Sequence, residues 1–379
     1  MSENQKISLK TINMQNIFEL VYKEGSLLQN EIRDRSGLSG PTVSACLQYF
    51  RKVGVFIEGE ELASSGGRKP RLIAFNYGFS YAVGIEIRMN HVDIRILNLK
   101  GEVVAGNVYR LAFKHEAAYW SQVSKYTEKE IKKNVSRDKV IGIGIAFPGE
   151  ISLDGQKIVR ATVFGLKNVA ISDIQRYFKL PITVEYGPNA AGYGITWRNH
   201  DIKDCVCIVV TNNGVAGSVI NDNKIYRGKN GEAGAFGHFV LDNRHKQCFY
   251  GNNDTWSNYC AVSELTGQED PDLPGFFEKL KAGDKDCENR WQEYITYMAR
   301  GLATVKLAFD ADIVIAGRIS PYLNEYYDQL KKEVSSYPFL KDEDIDILID
   351  VTSTSPMAEG AAMIVLTSFL ENYINNIYE

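Results

Sequence analysis

The 379-residue sequence contains no long hydrophobic run. No stretch approaches the roughly 18 consecutive apolar residues of a membrane-spanning helix, and the opening MSENQKISLK has no apolar signal core. Both absences argue against a membrane-embedded or secreted protein. We therefore expect a cytoplasmic protein with no membrane partner.

Cysteine is also scarce. The six cysteines are scattered over positions 46, 205, 207, 248, 260 and 287. Small secreted domains that depend on disulfides carry a much denser framework. The cysteines are therefore expected to be reduced thiols, most of which pack in the interior.

The sequence lacks a general excess of positive charge, since its net charge is −4. That balance argues against a chain that coats nucleic acid along its whole length. The distribution is uneven, however, because residues 1–78 carry 10 Lys and Arg against 8 Asp and Glu, whereas the remainder carries 33 against 39. A mildly basic head on an acidic body permits a nucleic-acid contact that is confined to the head.

Three helical segments are predicted in the first 54 residues. The first two are TINMQNIFELVYKE and LLQNEIRDRSG, in which apolar residues recur at helical spacing and glycine ends each pattern. The third is LSGPTVSACLQYFRKVG, where Ser39 suits an N-cap and Pro41 suits the first turn. One face of this third helix is apolar and contains Val43, Leu47 and Phe50.

This order of helices, followed by the two predicted strands VFIEGEEL and RLIAFN, predicts a winged helix-turn-helix domain over residues 1–78. Glycines and cations in the connection ASSGGRKP suit a narrow minor groove, and short polar side chains on the third helix suit base edges. The predicted DNA-binding residues are Ser39, Thr42, Ser44, Ala45, Gln48, Arg68, Lys69 and Arg71. The alternative is a packing module whose basic loop is merely solvated.

The remaining chain has the pattern of an α/β body. Three consecutive strands are predicted over Ala82–Ile87, His91–Leu99 and Val103–Tyr109, and a helix is predicted over Ala117–Lys133. The buried strand VIGIGIAF follows, and later strands again end in glycine turns. Three meandering strands that open each half of such a body are typical of the actin-like, two-lobed fold.

Several motifs resemble those of one family. The segments AVGIEI, GIGIAFPGEIS, LPITVEYGPNAAGYG, YRGKNGEAGAFGHFVL and IVIAGRIS, in this order behind a winged helix, resemble the ROK family, in particular its NagC-, Mlc- and xylose-repressor-like regulators. The resemblance implies an α/β, hexokinase-like (ribonuclease H-like) ROK domain over residues 79–379. Lobe one would comprise residues 79–194 and 358–379, and lobe two residues 195–357.

The same resemblance implies that the kinase motifs have degenerated. The family's D-x-G-G-T phosphate turn reads Glu86 to Asn90 here, and the second phosphate turn keeps only Gly214. The aspartate of E-N-D-A-N, which would be the general base, is Gly187. The two sugar-binding glutamates are Ala235 and Ser257. Losing both the phosphate cradle and the base removes what a phosphoryl-transfer catalyst consists of.

The family's zinc site is also incomplete. Only His238 and Cys248 match its ligands, because Tyr250 and Thr255 stand where two cysteines are expected. An improvised site could recruit two further residues, His245 and Cys260. The simpler alternative is a hydrogen-bonded histidine beside ordinary buried thiols, and we expect neither a metal nor another cofactor.

The resemblance implies a repressor of carbohydrate-use genes that is not an enzyme. Its partners would be a double-stranded operator and a small carbohydrate effector, and it would form a homodimer or homotetramer. The expected effector-binding residues are Asn189, His238, Glu185 and Gly165, although Asn189 could instead be a helix N-cap. Two alternatives remain open, namely a sugar kinase with an atypical base and a regulator of this family that no longer binds a sugar.

Overall fold

The computed structural model describes residues 9–61, 71–246, 253–268, 271–341 and 347–377. Its N-terminal head is the predicted three-helix unit with a small sheet. The elements are α1 (Leu9–Glu24), β1 (Ser26–Leu27), α2 (Gln29–Ser36), α3 (Gly40–Val53), β2 (Phe56–Glu61) and β3 (Arg71–Phe75). The three strands pair antiparallel in the order β1, β3, β2, which confirms both predicted strands.

Lobe one follows the head and is built on a five-stranded sheet. Its elements are β4 (Tyr81–Ile87), β5 (His91–Asn98), β6 (Val103–Arg110), α4 (Ala117–Asn134), β7 (Val140–Phe147), β8 (Glu150–Ile151), β9 (Lys157–Ala161), β10 (Leu166–Ala170), α5 (Ile171–Gln175), β11 (Ile182–Tyr186) and α6 (Gly187–Arg198). The main sheet has the order β11, β7, β4, β5, β6, and β8 to β10 form a small antiparallel sheet. The three predicted opening strands are confirmed.

Lobe two repeats this plan around a second five-stranded sheet. Its elements are β12 (Cys205–Val210), β13 (Val215–Asn221), β14 (Lys224–Tyr226), α7 (Trp256–Cys260), α8 (Val262–Thr266), α9 (Leu273–Lys281), α10 (Lys285–Phe309), β15 (Asp312–Gly317), α11 (Ser320–Glu325), α12 (Tyr327–Val334) and β16 (Ile347–Ile349), and α13 (Pro356–Asn375) closes the chain. The strand order is β14, β13, β12, β15, β16. Among the described residues, no helix has the length and apolar character needed to cross a bilayer.

The helices α6 and α13 lie at the centre of the molecule and join the lobes. Their backbones touch, because a Cβ added at Gly360 would lie 1.7 Å from the carbonyl oxygen of Ala190. Glycine at Gly84 likewise lets β4 approach the carbonyl of Ala358, where a Cβ would lie 1.8 Å from the oxygen. The predicted lobe boundaries, after residues 194 and 357, fall within α6 and α13 rather than in loops.

The head is seated on lobe one and on α13. Head residues share one buried cluster with Leu97 of β5 and with Leu366 and Leu370 of α13. Hydrogen bonds from side chains of the head also cross the junction. Tyr49 in α3 donates its hydroxyl to the carbonyl of Ile377 at 2.7 Å, Gln15 donates to Ile374, and Tyr22 donates to Leu99. The head is therefore packed against the body instead of being tethered by a linker.

Candidate functional site

The third helix of the head presents a polar face to solvent. Val43, Leu47 and Phe50 are fully buried, as the apolar spacing predicts. On the opposite side Ser44, Ala45 and Gln48 are exposed, and Thr42 is half-buried. Because these side chains are exposed, this face is open to a partner.

The start of α3 is held by local hydrogen bonds. The Ser39 side chain caps the helix by accepting the backbone N–H of Thr42, and its hydroxyl also lies 2.8 Å from that of Thr42. Gln29, at the first turn of α2, donates its side-chain amide to the Ser44 hydroxyl at 2.8 Å. Ser44 can then direct its own hydroxyl hydrogen towards a base acceptor. The sequence patterns gave no signal for Gln29, because this contact depends on how α2 packs against α3.

Of the three predicted DNA-binding cations, only Arg71 lies among the described residues. Arg68 and Lys69 lie outside the described residues. Arg71, the first residue of β3, forms ion pairs with Glu58 and Glu61 on β2. Its guanidinium is therefore shared with two exposed carboxylates in this structure, and its contact with DNA stays a prediction.

A cleft of about 670 Å³ separates the two lobes. Its wall in lobe one comes from the ends of β4, β7 and β11, and its wall in lobe two comes from the ends of β12 and β15. The described residues on its walls include Arg88, Met89, Phe147, Phe164, Tyr186, Gly187, Asn213, Ala235, His238, Ser257, Arg318 and Met357. The degenerate phosphate turns and the degenerate sugar motifs thus meet in one cavity.

Met357 fills the place beside the missing base. Gly187 is the first residue of α6, and a Cβ added there would lie 2.8 Å from the Met357 sulfur. That distance is shorter than real Cβ contacts, so any side chain at this position would have to displace the thioether. Position 187 therefore lacks the carboxylate and also the space that a carboxylate would occupy.

The former phosphate turn is occupied by an ion pair. Arg88 donates two hydrogen bonds to the Glu86 carboxylate, from Nε at 2.7 Å and from Nη2 at 2.8 Å. The negative charge of Glu86 raises the pKa of Arg88, so the guanidinium stays charged. This side chain and Met89 stand where two glycines would let phosphate oxygens approach the backbone.

Of the four predicted effector-binding residues, the structure places His238 on the cleft wall. Gly165 follows Phe164 at the end of a short 3₁₀ turn, with a φ of 64°, and falls outside the described lining. Asn189 and Glu185 are buried beneath the wall, and Asn189 donates to Glu185 at 3.0 Å. Asn189 lies within α6, whose N-cap is Tyr186, so the alternative of an N-cap role is wrong.

Glu185 instead contacts lobe two. Arg227, the residue after β14, donates from Nη1 to its Oε1 at 2.8 Å, and a second bond joins Nη2 to Oε2. This pairing raises the pKa of Arg227. Glu185 is 5% exposed and the Arg227 side chain is 33% exposed, so the carboxylate end of this bridge between the lobes is buried. We refer to Glu185 and Arg227 as the closure pair.

The suggested improvised metal site is not assembled in the part of the chain that can be described. No three His, Cys, Asp or Glu side chains converge as metal ligands among the described residues. Cys260 is buried and donates weakly to the Tyr294 carbonyl, whereas the backbone N–H of His245 donates to Asp254. Cys248 lies outside the described residues.

A three-helix head with a small antiparallel sheet, joined to a two-lobed α/β body with a cleft between its lobes, defines the class of protein. A family-wide comparison identifies the family: residues 82–368 match the ROK family, and the chain belongs to it. This confirms the resemblance found in the sequence.

Both regulators and kinases of this family are similar to this chain. The xylose repressor of Bacillus subtilis (strain 168) is 24% identical over 389 residues, which cover 96% of this chain and 97% of that protein. A ROK transcriptional regulator, described as a homologue of the Escherichia coli MLC protein, has a similar fold with a TM-score of 0.72, 16% identity and coverage of 97% and 100%. A ROK glucokinase from Streptomyces griseus, solved with glucose and AMPPNP, has a similar fold with a TM-score of 0.64 and 18% identity. The match covers 75% of this chain and 99% of the glucokinase chain. The two-lobed fold is thus confirmed.

Proposed function

We propose that this chain is a sequence-specific DNA-binding regulator that represses genes for carbohydrate use. A sugar or sugar-derived effector in the cleft controls its affinity for DNA, and the kinase-like body has no catalytic activity. The observation that carries this proposal is the combination of an open polar face on α3 with a cleft whose base position is Gly187 covered by Met357. The full-length similarity to a protein named as a repressor supports it.

The geometry of the cleft disfavours phosphoryl transfer. That reaction needs a phosphate cradle and a group that takes the proton from the attacking hydroxyl. Arg88 and Met89 occupy the first phosphate turn, and Gly187 has no group that could accept a proton. The cleft can still enclose a small molecule, because it has the size of an ordinary ligand pocket.

The mechanism follows from the way the head is attached. Because the head packs on lobe one and on α13, it moves with lobe one when the cleft opens or closes. In a homodimer, a change in the angle between lobes would alter the spacing of the two heads against an operator with two half-sites. An effector that binds one cleft state better than the other then shifts DNA affinity.

Selection from random DNA with the full-length chain tests this function. We expect enrichment of a site with two half-sites, and release from that site by at least one sugar of a panel of D-xylose, D-glucose, N-acetylglucosamine and sucrose. Failure to enrich any sequence would refute the DNA-binding proposal. Enrichment without a response to any sugar would favour the regulator that no longer binds one. Sugar-dependent ADP formation from ATP would instead favour a kinase.

A variant of the third helix sharpens the test. Gln48→Ala removes an exposed amide that can pair with adenine, so we expect relaxed selection at one position of each half-site and a loss of about 1–3 kcal/mol for the preferred base. Gln156→Ala, on the exposed β8 to β9 turn of lobe one, is the matched control and should leave selection unchanged. Identical base preferences for Gln48→Ala and the wild type would argue against α3 as the reading helix.

A further inference from the structure

One segment of lobe two reaches across the cleft. We call residues 227–238 the arm. It starts at Arg227, which pairs with Glu185 of lobe one, and it ends at His238 on the cleft wall. Midway, Glu232 accepts a hydrogen bond from Arg160 of β9 at 3.2 Å. The arm is thus held on lobe one at two points, although it belongs to lobe two.

The arm also lies close to the lobe-one backbone. A Cβ added at Gly231 would lie 2.8 Å from the carbonyl oxygen of Ile151 in β8, and Gly231 has a φ of 81°. Only glycine fits this close approach without strain. The position of the arm therefore depends on the lobes being together, and the cleft wall formed by Ala235 and His238 depends on the position of the arm.

The two ion pairs that hold the arm differ in burial. The side chains of Arg160 and Glu232 are both 49% exposed, and such surface pairs contribute little. In the closure pair, the Glu185 side chain is 7% exposed and the Arg227 side chain is 33% exposed. If the lobes separated, Glu185 would lose its cation and keep only Asn189 and a backbone N–H as partners among the described residues. Separating the lobes would break two charge-assisted hydrogen bonds between opposite charges, so the closure pair favours the closed cleft.

Building on the proposed function, we propose that Glu185 and Arg227 are positioning residues rather than effector contacts. They seat the arm across the cleft and so set how tightly the closed cleft holds its effector. The proposal also accounts for the position of Asn189, which supports the Glu185 carboxylate from below instead of lining the cavity.

Hydrogen exchange of the full-length chain without ligand tests the proposal. Arg227→Met removes the cation but leaves the Glu185 charge buried, and the double variant Glu185→Gln with Arg227→Met removes both charges and the tether. In both variants we expect amides of the arm to exchange at least about tenfold faster than in the wild type. Arg227→Lys should retain most of the protection, because it keeps the charge.

The double variant separates positioning from a loss of overall stability. We expect it to show wild-type exchange in the core of lobe two, including α10, while the arm stays fast. Arg290→Met, which breaks an exposed pair with Asp286 on α10, is the matched control and should leave the arm protected. An arm that is as protected in the double variant as in the wild type would overturn the proposal.

Titration with D-xylose and then the other sugars of the panel links the arm to the effector. A sugar that binds the wild type should bind the double variant about tenfold more weakly. Equal sugar affinity in both proteins would overturn the role assigned to the closure pair. If the wild type binds none of these sugars, the proposed sugar control fails, and the exchange of the arm still decides whether the pair seats it.

Discussion

A single methyl group at Gly360 tests the contact between the two central helices. Its Cβ would lie 1.7 Å from the Ala190 carbonyl oxygen, and α6 and α13 would have to separate by about 1.3 Å to bring this contact to 3.0 Å. No side-chain rotation can relieve the clash, because the obstacle is backbone. We therefore expect Gly360→Ala to expand the centre of the molecule rather than to be absorbed locally.

The magnitude follows from two opposing effects. Overpacking a well-packed core costs about 1–3 kcal/mol, and a backbone clash belongs at the upper end of that range. Replacing glycine by alanine inside a helix recovers about 1 kcal/mol. We expect Gly360→Ala to lower the free energy of unfolding by about 2 kcal/mol, measured by urea unfolding with tryptophan fluorescence.

Gly187→Ala provides the matched control at the same helix pair. Its Cβ would meet the Met357 sulfur at 2.8 Å, and a flexible methionine can move aside. The free energy of unfolding should therefore change by less than about 1 kcal/mol in this variant. If Gly360→Ala were as stable as the wild type, the close approach of α6 and α13 would be refuted.

Three further predictions concern the cleft, the head junction and the thiols. The double variant Gly187→Asp with Met357→Ala restores a carboxylate and its space but leaves Arg88 in the phosphate turn, so we expect no glucose-dependent ADP formation. Clear turnover would contradict the blocking of the phosphate turn by Arg88. Tyr49→Phe removes the hydrogen bond to the Ile377 carbonyl, which should destabilise the docking of the head by about 1 kcal/mol. Amide hydrogens at the end of α13 should then exchange faster than in the wild type. Wild-type exchange rates there would count against the docked head. Burial raises the pKa of Cys205 to about 12. Iodoacetamide at pH 8 should therefore label this thiol only after denaturation. Labelling of Cys205 in the native chain would refute its burial.

The sequence determined much of the local structure. Apolar spacing and the Ser39 cap predicted α3, and alternating apolar residues predicted the opening strands of lobe one. These signals are local, because a helix or strand buries its own apolar face at a fixed period. The absence of a base at Gly187 was equally readable, since a missing functional group needs no structure to be recognised.

Tertiary structure decided which residues meet. Glu185 was expected near an effector, but its partner Arg227 is 42 positions away on the other lobe, and no periodicity relates them. Met357 covers Gly187 from a helix 170 positions later in the chain. The seating of the head on α13 likewise joins the two ends of the sequence. Such contacts depend on how whole helices and strands pack against one another. The sequence by itself therefore determined the helices, the strands and the absence of a base at Gly187. Only the tertiary structure decided that Met357 covers Gly187 and that the closure pair joins the lobes.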